Sequence, residues 1–291
     1  MSKTVSSKSD SVMSPTSETI SCATGGTCVC VEDFIRFVTQ HCSCSWIFRG
    51  QACSDWDLIP KVDRQEFNAA RNSKGRLGLE QAALKEFKLL AQPHLSYFPR
   101  SDWEWLAHAQ HYRLPTRLLD WTFKPLVALY FAVEEHRHDK WDSIVFCYNH
   151  SNKHFQPDRS PFVVEAIEHF TPPHINTRIT AQGGCFTVHP QDRRLDPRQL
   201  VRIAIPKDDR SKIRETLFAL GIHHASIFPD LEGIAEHISK LESRYYTAKP
   251  VQPLSASSIN AEIVSVQDSS HGNGGGLPSV EPPNQRPQAD A

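Results

Sequence analysis

The sequence has no long hydrophobic run, no signal-peptide pattern and no excess of charge of one sign. No stretch of its 291 residues approaches the roughly 20 apolar residues of a membrane-spanning helix. The first 20 residues lack the apolar core of a signal peptide. Basic residues are scattered, and 32 Lys and Arg against 33 Asp and Glu give a formal net charge of −1. We therefore expect a cytoplasmic protein with no membrane partner, and we do not expect nucleic acid as a partner.

Several familiar catalytic motifs are also missing. The sequence contains no P-loop, no Gly-x-Gly-x-x-Gly after a strand pattern and no Gly-x-Ser-x-Gly nucleophile motif. The sequence therefore does not show the usual motifs of P-loop hydrolases, Rossmann dinucleotide enzymes or α/β-hydrolases. His108 and His111 form a His-x-x-His pair, but no carboxylate follows at the spacing of a metalloprotease site. We therefore predict no metal site.

Eight cysteines are present, but their spacing is not that of a zinc site. Six of them cluster before residue 54, and they include two Cys-x-Cys pairs. Structural zinc sites usually use Cys-x-x-Cys, and no signal peptide implies an oxidising compartment. We interpret these residues as reduced thiols that are partly buried, with zinc binding and disulfides as the alternatives.

The two ends of the chain differ in composition from its middle. Ser and Thr dominate the first 30 residues, whereas Pro, Ser, Asn and Gly dominate residues 248–291, and both segments are predicted to be disordered tails. Residues 31–247 carry the hydrophobic patterns, which suffice for one core. No internal repeat is present. Helix and strand patterns alternate irregularly, which predicts a single mixed α+β domain.

Hydrophobic periodicity predicts the elements of this domain. An amphipathic pattern predicts helices, and runs of β-branched and aromatic residues predict strands. Helices are expected near 31–42, 77–92, 102–112, 126–133, 208–220 and 231–246. Strands are expected near 45–50, 142–149 and 200–205, at 226–228, and across Gly183–Gly184.

The stretch Ala109 to Glu135 organises the sequence, because a cluster of polar residues precedes an apolar helix. Thr122 occupies the expected N-cap position of that helix, and Pro125 lies near its first turn. Polar groups would thus be fixed near a helix N-terminus, where backbone N–H groups and the helix dipole favour anions.

These motifs resemble a known family. HYRLPTRLLDWTFKPLVALYFA at 111–132, together with WIFRGQ at 46–51, resembles the FRG domain, which is named for its Phe-Arg-Gly motif. The segments 58–61, 179–186 and 221–235 also fit this family, so the resemblance covers roughly residues 32–245. It implies an architecture more directly than a reaction.

The order of the motifs also resembles ADP-ribosyltransferase-like folds. That resemblance implies that Arg49, followed by Gly50 and Gln51, holds a nicotinamide dinucleotide (NAD) as substrate rather than as a resident cofactor. It implies that Asp120 and Thr122 order the site, and that Gln182 lies near the reacting ribose. The catalytic candidates are therefore Arg49, Asp120, Thr122 and Gln182. The sequence departs from that pattern at Gln182, where such enzymes normally have Glu.

Other residues of the motifs are candidates for ligand binding. Arg117 would join Arg49 in a diphosphate cradle, and His111 would hydrogen bond a ligand or act as a general acid or base. Tyr112 would stack on a ring, and Gly183 would admit a ligand close to the backbone. Each of these residues also has a structural interpretation. His111 would be a core histidine, Tyr112 would pack in the core, and Gly183 would form a strand bulge. Asp120 would pair with Arg117 or Arg49.

Three functions follow from these candidates. The first is an ADP-ribosyltransferase-like or NAD-consuming enzyme. The second is a nucleotide sensor without catalytic activity, which the neutral side chain of Gln182 favours. The third is a protein-interaction module of unknown ligand, with the polar tails as tethers to a partner. The sequence leaves the substrate, the acceptor and the oligomeric state undetermined.

Overall fold

A computed structural model describes residues 25–64, 75–150, 158–173, 177–191 and 193–247, with side chains as far as residue 241. Most of the first predicted tail and all of the second lie outside the described residues. Residues 25–30 of the first predicted tail are described, and Gly26–Thr27 within them forms a short strand. Among the described residues, no helix has the length and apolar character needed to cross a bilayer.

The described residues form strands and helices that alternate along the chain. The strands are β1 Gly26–Thr27, β2 Trp46–Gln51, β3 Leu118–Thr122, β4 Ser143–Asn149, β5 Glu168–Phe170, β6 Gly184–Val188 and β7 Leu200–Ile205. The α-helices are α1 Val31–His41, α2 Gly75–Ala91, α3 Asp102–His111, α4 Pro125–Val133, α5 Thr177–Gln182, α6 Arg210–Ala219, α7 His224–Ile227 and α8 Leu231–Thr247.

The seven strands form one mixed sheet in the order β1-β7-β4-β2-β3-β6-β5. Strand β1 pairs with β7 in parallel, and the other neighbouring strands are antiparallel. Strand β2 lies at the centre, and all six of its residues are in register with β4. The prediction of a single mixed α+β fold is confirmed, whereas the ADP-ribosyltransferase-like arrangement of these strands stays a prediction.

Two groups of helices pack on one face of the sheet. Phe48 and Val145 belong to a core with α1, α4, α6 and α7. Leu118 and Phe186 belong to a second core with α2 and α3. Phe48 is paired with Thr122, and side chains alternate along a strand, so Thr122 and Leu118 share the face of Phe48. The two helix groups therefore cover the same face of the sheet, one packed on β2 and β4 and the other on β3 and β6.

Helix α4 is the buried helix that the sequence predicted, but Thr122 is not its N-cap. Its N-cap is Lys124, and Pro125 is its first residue. Thr122 is instead the last residue of β3. The Thr122 hydroxyl accepts a hydrogen bond from the backbone N–H of Lys124 at 2.9 Å, so it fixes the turn between strand and helix rather than the helix itself.

Two predicted strands are corrected by the structure. The segment before Gly183 is helix α5, and Gly183 has a φ of +58°, which ends the helix so that β6 begins at Gly184. Residues 226 and 227, predicted as strand, belong to α7. The side chain of His223 accepts a hydrogen bond from the Ser226 backbone N–H and caps this helix, a role that strand propensity does not register.

Candidate functional site

A cavity of about 1190 Å³ lies where β2 and β3 separate. Its lining includes Phe48 and Thr122 from the face that carries the two helix groups and, because side chains alternate along a strand, Arg49, Gln51 and Trp121 from the opposite face. Strands β2 and β3 form its floor, and residues of α3, α4 and α5 form its walls. Its lining is strongly charged and balanced in sign. The described lining residues include six arginines and six carboxylates: Arg49, Arg64, Arg113, Arg137, Arg178 and Arg194, and Asp55, Asp57, Asp63, Asp120, Glu134 and Glu135.

Strands β2 and β3 separate at the floor of this cavity. Among their described residues, pairing is confined to Phe48 and Thr122. Beyond that pair, the Arg49 guanidinium bridges the two strands, because its Nη1 donates to the backbone carbonyl of Asp120 at 2.8 Å. The same nitrogen lies 3.8 Å from the Asp120 carboxylate. The split between the strands thus brings a charged side chain to the cavity floor.

The guanidinium of Arg49 does not use all of its hydrogen-bond donors at this position. Its side chain is 15 % exposed, and its Nε is buried without a hydrogen-bond partner among the described residues. Burial lowers the pKa of its guanidinium, but a guanidinium stays charged at neutral pH. A buried cation with free donors gains strongly from an anion, so Arg49 is the clearest anion-binding group of the site.

Asp120 is oriented by a neighbouring amide. Gln110 Nε2 donates to its Oδ2 at 3.0 Å, while Gln110 Oε1 accepts from the hydroxyl of Thr116 at 2.7 Å. The Asp120 side chain remains 56 % exposed. It therefore faces the cavity beside Arg49. The sequence suggested Arg117 or Arg49 as its partner, and in the structure Asp120 lies near Arg49.

Thr122 and Gln182 also meet at the cavity, but their polar groups hold the fold together. The Thr122 hydroxyl donates to the backbone carbonyl of Gln182, which ties the end of α5 to β3. The Gln182 side chain donates to the carbonyl of Ile227 at 3.3 Å. Arg49, Asp120, Thr122 and Gln182 thus line one cavity, as their order in the sequence suggested.

Arg117 lies apart from these residues, and the cradle of two arginines is not formed. Its side chain is buried, and its Nε and Nη2 donate to Glu80 Oε2 at 3.0 and 2.8 Å. Its Nη1 donates to the carbonyl of Pro161 at 2.9 Å. With these donors occupied by α2 and by the segment before β5, Arg117 stabilises the fold and does not line the cavity.

His111 and Tyr112 separate at the end of α3. His111 lines the cavity, and burial lowers the pKa of its imidazole, with a smaller effect from Arg178. The neutral imidazole is thus favoured at neutral pH. Tyr112 is 61 % exposed, and its ring packs on His108 and His111 at centroid distances of 5.1 and 5.0 Å. Only the histidine therefore faces the site.

The two glycine candidates have packing roles. A Cβ at Gly50 would lie 1.9 Å from the carbonyl oxygen of Ala128 and 2.6 Å from the nitrogen of Ala132, so Gly50 lets β2 contact the backbone of α4. A Cβ at Gly183 would lie 3.0 Å from the side chain of Lys124. Next to Gly50, Gln51 lines the cavity, and its Oε1 is buried without a partner among the described residues.

Sequence reasoning missed most of the charged residues that line the cavity, and two of them matter most for its chemistry. Glu134 follows the last residue of α4, and Arg178 lies in α5, where Asp230 and Glu232 bind its guanidinium. The only hint in the sequence is that each residue lies next to a recognised motif. Glu134 follows the apolar run of α4, and Arg178 directly precedes the ITAQGGCF segment. Adjacency does not show which segments converge, so neither residue could be assigned to the site.

Metal and disulfide chemistry find no support in the described part of the chain. No group of three or more His, Cys, Asp or Glu side chains there is arranged so that it could hold a metal ion, and its seven cysteines are free. Cys22 lies outside the described residues.

Comparison with known proteins identifies one domain. The model of the FRG domain family matches residues 44–141, a range that begins just before β2 and ends after α4. It includes Arg49, Asp120 and Glu134, whereas Gln182 lies beyond it. No curated protein and no solved structure matches the chain. The wider domain boundaries at 31 and 247 stay a prediction.

Proposed function

The chain contains an FRG domain, and we propose that this domain binds NAD, or a nucleotide of the same class, in the cavity above β2 and β3 and cleaves it. The observation that carries this proposal is the partly satisfied guanidinium of Arg49 at the cavity floor. The proposed compartment is the cytoplasm, in keeping with the sequence.

The size of the cavity supports a ligand as large as a dinucleotide. Its volume is about 1190 Å³, whereas small-molecule pockets typically measure about 300–1,000 Å³. The FRG motif and one side of α4, at Ala128 and Phe131, both border this space, so the most distinctive segments of the sequence surround it.

The distribution of charge supports an anionic group next to Arg49. Three of the other lining arginines already have carboxylate partners: Arg137 with Glu135, Arg178 with Asp230, and Arg194 with Asp57. Arg49 has a longer contact, 3.8 Å from its Nη1 to the Asp120 carboxylate, and its Nη1 donates to a backbone carbonyl. Its Nε is buried without a hydrogen-bond partner among the described residues. An entering phosphate would give this guanidinium the strong, charge-assisted hydrogen bonds that it lacks.

Aromatic rings on the cavity wall support a ligand with ring systems. Phe131 and Phe228 meet edge to face at a centroid distance of 6.0 Å, and both line the cavity. Trp56 and His138 form a second pair at 5.1 Å. Such surfaces accept the flat face of a base or a nicotinamide ring.

Binding without cleavage is the second candidate. Gln182 is neutral where an ADP-ribosyltransferase-like site would have a carboxylate, and the Thr122 hydroxyl already bonds to backbone groups on two sides. Both observations favour a sensor that recognises the nucleotide and leaves it intact. A protein-interaction module is the outcome to which failure of nucleotide binding would point.

The test is the affinity of the purified full chain for NAD, measured by calorimetry together with the release of nicotinamide. Arg49→Ala should weaken binding about 10- to 150-fold, since a hydrogen bond to a charged group contributes about 1.5–3 kcal/mol. Arg194→Ala is the matched control, because Arg194 also lines the cavity but is 66 % exposed, and it should bind within about threefold of wild type.

The thermal midpoints of both variants show whether they remain folded. Equal NAD affinity of wild type and a folded Arg49→Ala variant would remove the basis of the proposal. Binding without release of nicotinamide would select the sensor, and no binding by the wild type would leave an interaction module.

A further inference from the structure

Glu134 stands between the main cavity and a second one. It is the residue directly after α4, its side chain is 15 % exposed, and it lines both spaces. The second cavity measures about 520 Å³ and is bordered by α7 and α8. A carboxylate at the meeting point of two cavities is accessible to a bound ligand and yet largely withdrawn from solvent.

Side chains from two other helices fix the Glu134 carboxylate. His224 of α7 places its Nδ1 2.7 Å from Glu134 Oε1, and Lys240 of α8 places its Nζ 3.1 Å from the same oxygen. The Tyr130 hydroxyl lies 3.1 Å from the same imidazole nitrogen. Glu236 contacts His224 Nε2 at 3.1 Å and Lys240 at 2.9 Å, so the cluster is continuous from α4 to α8.

The other described carboxylates of the main cavity are less suited to chemistry. Asp55, Asp57 and Asp120 are exposed, and Glu135 is 43 % exposed and paired with Arg137. Asp63 is held at 2.7 Å by the buried guanidinium of Arg76. Glu134 is the least exposed of these carboxylates, at 15 % against 20 % for Asp63, and it alone among them is held from α7 and α8.

The packing of β2 on α4 links Glu134 to Arg49. Gly50 contacts the backbone of α4 at Ala128 and Ala132, and Glu134 follows two residues after Ala132. Arg49 adjoins Gly50 in the same strand. The phosphate-binding candidate and the carboxylate therefore lie on two elements in direct backbone contact, and both side chains line the same cavity.

We infer that Glu134 is the carboxylate that activates water against the ligand held by Arg49. This inference rests on the proposed function and assigns to Glu134 the task that the resemblance would give to position 182. His224 and Lys240 are positioning residues for it, because they act through the carboxylate and hold one of its oxygens in place.

The reaction that this arrangement suits is hydrolysis of the bond between nicotinamide and ribose. Glu134 accepts a proton from water as the water oxygen bonds to the anomeric carbon of the ribose. The carbon–nitrogen bond breaks, its electron pair stays on the pyridinium nitrogen, and neutral nicotinamide leaves. Glu134 then releases its proton to solvent. NAD and water thus give ADP-ribose, nicotinamide and one proton, with no oxidant or reductant.

The test compares Glu134→Gln with Glu135→Gln in the full chain, using NAD as the probe. Loss of a general base typically lowers turnover about 100- to 10,000-fold. Glu134→Gln should therefore lose nicotinamide release by at least about 100-fold while its dissociation constant for NAD stays within about threefold. Glu135→Gln, the adjacent and more exposed carboxylate of the same cavity, should retain both.

A second variant keeps the inference testable should Glu134→Gln fold poorly. Lys240→Met should lower kcat with little change in KM, and Lys240→Arg should restore part of kcat, which a purely structural role would not produce. Turnover by Glu134→Gln at the wild-type rate would overturn the inference.

The two readouts separate this inference from the proposal on which it rests. Wild-type protein that binds NAD without releasing nicotinamide would also overturn the inference but would leave nucleotide binding intact. Wild-type protein that does not bind NAD would overturn both.

Discussion

At the scale of single residues, the three members of the Phe-Arg-Gly motif have three different physical roles. Phe48 is buried in the core beneath α4, Arg49 bridges the split between β2 and β3, and Gly50 contacts the α4 backbone. Only Arg49 is free to bind a ligand. The sequence identified all three residues as a motif but could not show which of them pack and which binds a ligand. The contact that reveals the packing role of Gly50 joins it to Ala128, 78 residues further along the chain.

Gly50→Ala should destabilise the protein strongly. The added Cβ would lie 1.9 Å from the Ala128 carbonyl oxygen, and the backbones of β2 and α4 would have to separate. We expect a loss of about 3 kcal/mol or more in unfolding free energy, at the upper end of overpacking effects. Gly184→Ala is the control, because its nearest contact would be an ordinary 3.8 Å, and it should cost less than about 1 kcal/mol. Urea titration of both variants measures this, and equal midpoints would disprove the packing role.

The buried pair of Glu80 and Arg117 should be structural. Both side chains are at most 3 % exposed, so Glu80→Gln leaves a buried cation without its partner. That substitution should cost about 3–5 kcal/mol. Asp33→Asn removes the exposed pair with Arg36 and should cost less than about 1 kcal/mol. Chemical denaturation compares the two, and similar small losses would return Arg117 to the list of ligand-binding candidates.

At the scale of secondary-structure elements, a chain of hydrogen bonds joins β3 to β6 behind the cavity floor. Trp121 Nε1 donates to Thr187 Oγ1 at 2.8 Å, and that hydroxyl lies 2.8 Å from His189 Nε2. His189 Nδ1 lies 3.3 Å from the carbonyl of Arg193. If Nδ1 carries the proton and donates to this carbonyl, the chain is complete with a neutral imidazole.

This chain predicts a loss of stability in mild acid. Burial lowers the pKa of His189 from its usual 6.5 to about 4. The unfolded chain therefore binds a proton first, so the stabilisation is full above about pH 6.5 and is lost as the pH falls toward 4. A shift of that size corresponds to about 3 kcal/mol.

The variant His189→Gln isolates this effect from the other histidines. Between pH 7 and pH 4, wild type should lose about 3 kcal/mol more unfolding free energy than the variant. Unfolding in urea at a series of pH values measures the difference. Identical pH profiles would show that His189 does not titrate with folding.

The elements also show where periodicity succeeds and where it fails. It predicted β2, β4, β7, α2, α3 and α4 near their observed positions, because each carries an uninterrupted hydrophobic pattern. It failed at α5, since the pattern of TRITAQ is too short to distinguish helix from strand and the break at Gly183 has a positive φ. It failed at α7 because the cap from His223 depends on a local hydrogen bond.

At the scale of the whole molecule, the split sheet and two helix groups create a charged cavity at the centre of the fold. The resemblance in motif order implied that Arg49, Asp120, Thr122 and Gln182 share one site, and all four line this cavity, whereas their catalytic roles stay a prediction. Sequence could not predict that Arg117 would be neutralised by Glu80 or that Glu134 would converge from the far end of α4. Both depend on how helices pack across the sheet.

The most direct test of the central claim is a crystal structure of the full chain with bound NAD. The account predicts a diphosphate in the cavity with an oxygen within about 3 Å of the Arg49 guanidinium, and the nicotinamide ribose facing Glu134. A ligand bound elsewhere on the molecule, or bound in the cavity without contact to Arg49, would contradict it.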